Sequence, residues 1–471
     1  MSNDRKRKKR RIHPVIRFLL STAAVALLLY LSGFAFRYCL GLFIADEEYI
    51  VQLPGQDSPI VQVMPEKDEE KAPEQSDTVY QTGQATILAA GDLMTHLPIV
   101  RSGKTSDGYD FSYVFEYVKS YVSDADYAVV NLETTLSGTA GGKEYTGYPR
   151  FNAPDAMASG AASGGFDMML TGNNHCYDYG TAGMKRTLEV VRAAGLDTLG
   201  TNAAVEESKY VVKELNGIKV GMISYTYGEI GSDRNMPQVN GIQTDSKAAG
   251  LINVFDYGSL DMFYAEMEGH ISAMHAAGAE AIVLFIHWGD EYSVKPTNTQ
   301  KSIAQRMCEL GVDVIAGGHP HVIQPVELLT SADGTHQTVC AYSLGNYLSN
   351  QRADNIGLTT GHSEDGLMFS FTFAEYSNGE VYLESVELMP TWVLIRGSGN
   401  ERTYHILPLD ESVTNWKEAY SLSSSQLSDA KESLERTKAL VDSGLASVQS
   451  ALAQKTVERN ENLGIFTGGV G

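Results

Sequence analysis

The chain has 471 residues, which is long enough for two or three domains or for one large domain with appended segments. Its formal net charge of −22 argues against a nucleic-acid partner, because phosphate backbones are bound through basic surfaces. The acidic composition also disfavours direct binding of any polyanion unless a cation mediates the contact. The four cysteines are too few to form a disulfide framework in a chain of this length.

The first segment predicts a membrane anchor. Residues 18–36 carry no charge and are long enough to span a bilayer as a helix. A basic cluster at residues 5–11 precedes them, so residues 1–17 are expected in the cytoplasm and the main domain outside the cell. A cleaved signal peptide is the alternative, although the stretch does not end in a small-x-small cleavage site. Residues 37–83 predict an acidic extracellular spacer after a single-pass anchor in the cell membrane.

Residues 84–400 predict an α/β domain. In its first half strands alternate with helices, which is typical of a mostly parallel sheet. The strands are expected at 85–90, 127–131 and 167–171, and the helices at 111–122, 154–164 and 183–194.

The second half of the domain predicts a second sheet. A hairpin turn is expected at Asn216-Gly217, and strands at 281–287 and 312–316 alternate with helices at 261–277 and 300–310. Four further segments without intervening helices indicate antiparallel strands at 322–328, 337–344, 366–374 and 381–388. The pattern predicts two sheets packed face to face between helical layers. Residues 401–471 predict a helical C-terminal tail on the surface.

Polar residues follow the predicted strands at their carboxyl ends. They are Asp92, Glu133, Asn174, His175, His287, His319, His321 and Asn346. Neighbouring strand ends meet in one crevice, and carboxylate, amide and imidazole groups together suit Mn, Fe or Zn. Each residue alone has a plainer interpretation, since Asp92 or Glu133 can cap a turn and Asn346 can brace a strand. The repeated placement favours a site for one or two divalent metal ions.

These motifs together resemble those of the poly-gamma-glutamate capsule biosynthesis protein CapA family. The resemblance lies in Gly91-Asp92, Asn131-Leu132-Glu133, Gly172-Asn173-Asn174-His175, His287-Trp288-Gly289, Glu291-Tyr292, Gly318-His319-Pro320-His321 and Tyr342-Ser343-Leu344-Gly345-Asn346. That family is related to the calcineurin-like metallophosphoesterases. The resemblance implies a four-layer α/β/β/α sandwich, bacterial origin and a role in making or exporting an anionic capsule polymer.

The resemblance also implies roles for individual residues. It implies that the metal ligands are Asp92, Glu133, Asn174, His287, His319 and His321. It implies that the substrate-binding residues are Glu291, Tyr292 and Asn346. His175 is similar to the general acid of the phosphoesterases. Met94 stands where their pattern has a histidine, so either one or two metals are expected.

Three functions remain open at this point. The first is a membrane-anchored, metal-dependent hydrolase or transferase that acts on a phosphoester or on the polymer. The second is a non-catalytic component of a membrane synthesis and export complex that binds the polymer through a cation. The third is a structural surface protein that uses the sandwich only as a scaffold.

Overall fold

The computed structural model describes residues 79–231 and 236–462. The predicted cytoplasmic tail, the predicted anchor at 18–36 and the spacer up to residue 78 lie outside these ranges. Within the described ranges no helix is long and apolar enough to cross a membrane. The last residues assigned to the spacer already belong to the domain, because its first strand begins at Gln81.

The first sheet contains eight of the described strands. They are β1 (Gln81–Leu93), β2 (Tyr127–Leu132), β3 (Met168–Leu170), β4 (Asp197–Leu199), β14 (Asn346–Leu348), β15 (Asp365–Tyr376), β16 (Val381–Arg396) and β17 (Thr403–Pro408). β2 and β14 flank the carboxyl end of β1 in parallel, and β15 to β17 extend the sheet in antiparallel fashion. Asp92 is therefore flanked by Asn131 of β2 and Asn346 of β14.

The second sheet contains seven of the described strands. They are β5 (Tyr210–Leu215), β6 (Ile218–Tyr227), β9 (Val254–Phe255), β10 (Ala281–His287), β11 (Val314–Gly318), β12 (Val326–Thr330) and β13 (Gln337–Ala341). β6, β10, β11 and β13 are parallel. The predicted hairpin joins β5 to β6, with φ values of 51° at Asn216 and 95° at Gly217. A separate small hairpin pairs β7 (Gln238–Val239) with β8 (Ile242–Gln243).

Nine α-helices of the described residues surround the two sheets. They are α1 (Leu97–Ser102), α2 (Lys119–Ser123), α3 (Ala156–Ser163), α4 (Gly180–Ala193), α5 (Leu260–Ala276), α6 (Asn298–Glu309), α7 (Ala353–Ile356), α8 (Trp416–Ala419) and α9 (Ser424–Asn462). α1 to α4 pack on the first sheet and α5 and α6 on the second. A core that includes Ile87, Phe369 and Phe285 lies between the two sheets. The mixed α/β class predicted from the sequence is confirmed.

The predicted helix at 111–122 is wrong in its details. The structure has a 3₁₀ turn at Ser112–Phe115 followed by the short helix α2. Phe111, Val114 and Phe115 are fully buried, as the apolar spacing indicates. The spacing marks the buried face correctly, but it does not distinguish one continuous α-helix from a turn followed by a helix.

Residues beyond 400 are integral to the sandwich. The predicted helical tail begins with β17, which forms an edge of the first sheet. α9 packs against β16 of one sheet and β12 of the other, and Val441 and Val448 enter the core between the sheets. A partly buried ion pair holds the helix in place, because Arg436 and Ser433 both donate hydrogen bonds to the Asp365 carboxylate.

Replacing either of two helical glycines with alanine should change the stability of the protein, in opposite directions. A Cβ on Gly444 of α9 would lie 2.0 Å from the carbonyl oxygen of Val326, whereas one on Gly269 of α5 would meet nothing within 4 Å. We therefore expect Gly444→Ala to lower the free energy of unfolding by about 1–3 kcal/mol through overpacking. Gly269→Ala is the matched control and should raise it by up to about 1 kcal/mol. Urea denaturation measures both, and stabilisation by Gly444→Ala would contradict the close helix–sheet contact.

Candidate metal centre

The crevice lies where the carboxyl ends of strands from both sheets meet. β1 delivers Asp92, and Glu133 follows directly after β2. β10 ends at His287, which is paired with Gly318 at the end of β11. His319 and His321 come immediately after that strand. Parallel strands in adjacent positions thus bring together residues that are far apart in sequence.

Two overlapping groups of side chains are arranged to share a cation. Asp92, Glu133 and His287 form one group, and Glu133, His319 and His321 form the other; within each group the donor atoms lie within 4.8 Å of one another. Glu133 Oε1 lies 3.4 Å from His287 Nε2 and 3.6 Å from His321 Nε2. All five residues are buried. Glu133 belongs to both groups, so it is the residue that would be shared if each group held a cation.

Unsatisfied polar atoms indicate that the centre fits a metal ion. Both carboxylate oxygens of Glu133 and Nδ1 of His319 make no hydrogen bond among the described residues, and His321 Nδ1 makes none either but lies 3.3 Å from Asp92 Oδ2. A buried carboxylate without partners is costly, and such groups in native proteins are paired or bind a metal. Carboxylate and imidazole donors suit a divalent cation of the Mn, Fe or Zn kind.

The backbone that carries the histidines is strained. His319 has φ of 97° and His321 has φ of 56°, and the neighbouring Tyr292 has φ of 61°. Left-handed conformations of non-glycine residues cost energy and cluster at functional sites. The turn is held by a hydrogen bond from the His319 backbone N–H to Asp92 Oδ2 at 3.1 Å. A Cβ on Gly318 would lie 2.6 Å from Asp92 Oδ1, so glycine is required for this close approach.

Asparagines form the layer behind the ligands. Asn131 donates to Asp92 Oδ1 at 2.7 Å, and its own Oδ1 accepts a hydrogen bond from Asn173 at 3.0 Å. Asn174 Oδ1 lies 3.0 Å from His287 Nε2. That imidazole nitrogen thus donates to an oxygen that is itself a predicted ligand.

His175 is oriented by a carboxylate. Its Nδ1 lies 2.8 Å from Asp178 Oδ2, which also accepts the backbone N–H of Phe151 at 2.7 Å. The Phe151 ring packs edge to face against His175, with the ring centroids 4.7 Å apart. The imidazole is therefore fixed on one side and presents Nε2 on the other, which is the arrangement that a general acid requires.

Charge and burial set the protonation of the metal-binding groups. Burial and the charges of His287 and His321 hold the pKa of His319 well below its usual value, which leaves a neutral imidazole able to bind metal. Burial also acts to lower the pKa of His321, but Glu133 and Asp92 outweigh it and raise the pKa to about 9. Burial acts to raise the pKa of Asp92, but attraction to His321 and His287 lowers it.

This protonation predicts a pH dependence of metal binding. Below pH 9 the metal has to displace a proton from His321, so its apparent affinity should rise with pH by up to about tenfold per unit and level off above pH 9. Competition titrations with Mn²⁺ between pH 6 and 8 measure this slope. An affinity that does not change over that range would contradict the assignment of His321 as a ligand.

The predicted substrate-binding residues occupy different environments. Glu291 is exposed, and Tyr292 accepts a hydrogen bond from Gln351 at 3.1 Å. Asn346 is fully buried and donates to the carbonyl oxygens of His321 and Ser363. Asn346 therefore braces the histidine turn, while Glu291 and Tyr292 remain candidates for substrate contact at the edge of the crevice.

Three residues near the centre were missed from the sequence. Asp178 orients His175, and the Tyr227 ring packs 4.8 Å from the His319 ring, centroid to centroid. Tyr227 ends β6, so the strand-end rule that found the other residues could have found it too. The third is His96, which follows Asp92 by four residues and to which the sequence assigned no role. No local pattern points to Asp178, because its contact depends on the turn after Asn174.

Comparison with known proteins identifies the family. A family model described as the bacterial capsule synthesis protein PGA_cap matches residues 86–351. The capsule biosynthesis protein CapA of Bacillus anthracis is 29% identical over 273 residues, covering 56% of this chain and 60% of the relative. The PGA biosynthesis protein CapA of Bacillus subtilis (strain 168) is 25% identical over 240 residues, covering 50% and 57%.

A more distant relative has a similar description. A probable polyglutamine synthesis accessory protein of Mycobacterium tuberculosis is 25% identical over 210 residues, covering 43% of this chain and 52% of the relative. The chain thus spans less than two thirds of the length of each of these relatives. The expected resemblance to the CapA family is confirmed. Because the family model covers more than half of the chain and includes every residue of the metal centre, the chain belongs to the PGA_cap family of bacterial capsule synthesis proteins.

Proposed function

We propose that this chain is a membrane-anchored accessory protein of bacterial capsule polymer synthesis or export. Its crevice binds one or two divalent cations and hydrolyses a phosphoester in the manner of the metallophosphoesterases. The observation that carries the proposal is the convergence of Asp92, Glu133, His287, His319 and His321, with both oxygens of Glu133 left without hydrogen bonds. The names of the relatives support the capsule context, and poly-gamma-glutamate is the polymer they suggest.

The side chains suit phosphoester cleavage. A bound cation supplies an electrophile for a phosphoryl oxygen and lowers the pKa of water. Asp178 orients the His175 ring so that its Nε2 can donate a proton to the leaving-group oxygen of the phosphoester. Glu291 and Tyr292 at the edge are placed to contact the rest of the substrate. The layered α/β/β/α arrangement supports the comparison with metallophosphoesterases.

The acidic surface favours a cation-mediated encounter with an anionic polymer. The net charge of −22 repels a polyglutamate, so direct attraction does not bring the two together. The second candidate function follows from this, namely a non-catalytic protein that binds the polymer through the cation. In both cases the partners are the polymer or a phosphoester and a membrane synthesis or export complex.

Metal analysis followed by a turnover assay tests the proposal. The full-length chain, purified in detergent, should contain one or two equivalents of metal after incubation with Mn²⁺ and removal of the excess. It should then hydrolyse bis(4-nitrophenyl) phosphate. Bound metal without turnover would favour the non-catalytic candidate. A protein that takes up no Mn²⁺, Fe²⁺ or Zn²⁺ would contradict both and favour a structural role.

A further inference from the structure

His96 lies close enough to the metal centre for the charge of the His321 imidazole to lower its pKa, and neither the proposed chemistry nor the candidate metal ligands include it. It precedes α1, and its backbone carbonyl accepts hydrogen bonds from Ile99 and Val100 at 2.8 Å and 3.0 Å. A Cβ on Gly147 would lie 3.2 Å from its Cα, so a second loop packs closely over it. The residue is therefore fixed in position by backbone contacts on two sides.

Phe151 separates His96 from His175. The Phe151 ring packs edge to face against the His96 ring, with the ring centroids 5.1 Å apart. It packs edge to face against the His175 ring as well, with the centroids 4.7 Å apart. The two imidazoles thus share one aromatic wedge at the crevice. Burial and the positive charges of His321 and His175 lower the pKa of His96 to about 3, which keeps its ring neutral.

The hydrogen bonds at Nδ1 differ between the two histidines. The Asn350 backbone N–H donates to His96 Nδ1 at 3.3 Å, so this nitrogen carries a lone pair and the proton of the neutral ring is on Nε2. His96 is partly exposed, and among the described residues none accepts a hydrogen bond from Nε2. His175 has the opposite arrangement, because its Nδ1 faces the Asp178 carboxylate and its Nε2 lies on the other side of the ring.

We propose that His96 is a substrate-binding residue that donates a fixed hydrogen bond from Nε2 to an anionic oxygen of the group bound at the metal centre. The ligand is a tetrahedral oxyanion of the phosphate class, which presents oxygens to the cation and to a neighbouring donor together. His175 moves the proton, and His96 holds the oxyanion without exchanging one. This inference rests on the proposed function, since it requires the oxyanion to bind at the cation.

Two substitutions separate the hydrogen bond donated by His96 Nε2 from the hydrogen bond that His96 Nδ1 accepts from the Asn350 backbone N–H, here called the backbone brace. In His96→Asn the side-chain Oδ1 can still accept a hydrogen bond from the Asn350 N–H. The shorter side chain has no donor at the position of Nε2. In His96→Gln the side-chain amide N–H can occupy the position of the His96 Nε2–H, but the side chain has no acceptor at the position of Nδ1 for the Asn350 N–H. The pair therefore removes one function at a time from the same position.

Binding of inorganic phosphate to the Mn²⁺-loaded, full-length chain is the test, measured by isothermal titration calorimetry. We expect His96→Asn to weaken phosphate binding by roughly ten- to hundredfold, the range for a hydrogen bond to a charged group. His96→Gln should stay within about threefold of the unsubstituted protein. Manganese content, measured in parallel, should be the same in all three proteins, because His96 is not a ligand.

Three results would overturn the inference. Weak binding by His96→Gln together with normal binding by His96→Asn would show that the brace to Asn350 matters and the donor does not. Equal loss in both variants would show that a hydrogen bond donated from Nε2 is not sufficient for binding at this position. If the unsubstituted protein takes up Mn²⁺ but binds no phosphate, the proposed phosphoester chemistry fails as well, which distinguishes that failure from the failure of His96 alone.

Discussion

Replacing His175 with asparagine should lower kcat for bis(4-nitrophenyl) phosphate by about 10²–10⁴-fold, the usual contribution of a positioned general acid. The variant keeps an amide that can hydrogen-bond to Asp178, so the turn after Asn174 should hold its shape. His175 belongs to neither group of side chains that shares a cation. Metal content and the free energy of unfolding should therefore remain unchanged, and the loss should lie in kcat.

Asp178→Asn is the companion variant. It removes the charge that faces His175 Nδ1 and replaces one of the acceptors at that position with an amide. We expect a smaller loss of kcat than in His175→Asn, with KM little changed, because Asp178 affects proton transfer through the imidazole and its other contact is to the Phe151 backbone. Turnover by His175→Asn at the rate of the unsubstituted protein would exclude His175 as the acid and leave the His175–Asp178 pair with a structural role.

Replacing Glu133 with glutamine should remove metal-dependent stabilisation. Glu133 is common to both candidate groups, and its carboxylate is close to two histidines at once. A ligand at about 100 times its Kd raises the free energy of unfolding by about 2.7 kcal/mol. At the Mn²⁺ concentration that achieves this for the unsubstituted protein, Glu133→Gln should show almost no increase, because a neutral amide replaces the charged bridging group.

Glu291→Gln is the matched control for this experiment. Glu291 is an exposed carboxylate near the crevice and belongs to neither group. Its substitution should leave the Mn²⁺-dependent increase in stability intact. Denaturation with and without Mn²⁺ measures both variants. An undiminished increase in Glu133→Gln would show that the bridging carboxylate is not a ligand and would move the site elsewhere.

The sequence predicted that the candidate metal ligands lie at strand ends because one physical rule governs their positions. Asp92, His287 and His319 end or follow strands that lie next to parallel neighbours within their own sheets, and apolar runs make those strands easy to recognise. The same rule applies to Glu133 after β2. The structure brings these residues together even though they come from both sheets, which the strand pattern alone did not specify.

The C-terminal region was harder to predict. Residues 424–462 have a polar helical pattern, and only a few apolar side chains such as Val441 and Val448 face the core. A pattern of that kind also fits a surface helix. Its place against β12 and β16 depends on Gly444 and on the Arg436–Asp365 ion pair, which are long-range contacts that a local pattern does not encode.

The orientation of His175 and the tautomer of His96 depend on the folded structure in the same way. Asp178 lies only three residues after His175, yet the contact requires the specific turn between them. Asn350 is far from His96 in sequence and reaches it only because β14 pairs with β1. Residue types at strand ends can thus be predicted, whereas the partners that set their protonation cannot.

Crystals of the full-length chain grown with Mn²⁺, with data collected at the manganese absorption edge, test the central claim most directly. We expect an anomalous peak within bonding distance of Glu133 and of at least two of His287, His319 and His321. A well-ordered crevice with no anomalous peak there, or a peak bound elsewhere on the chain, would contradict the account.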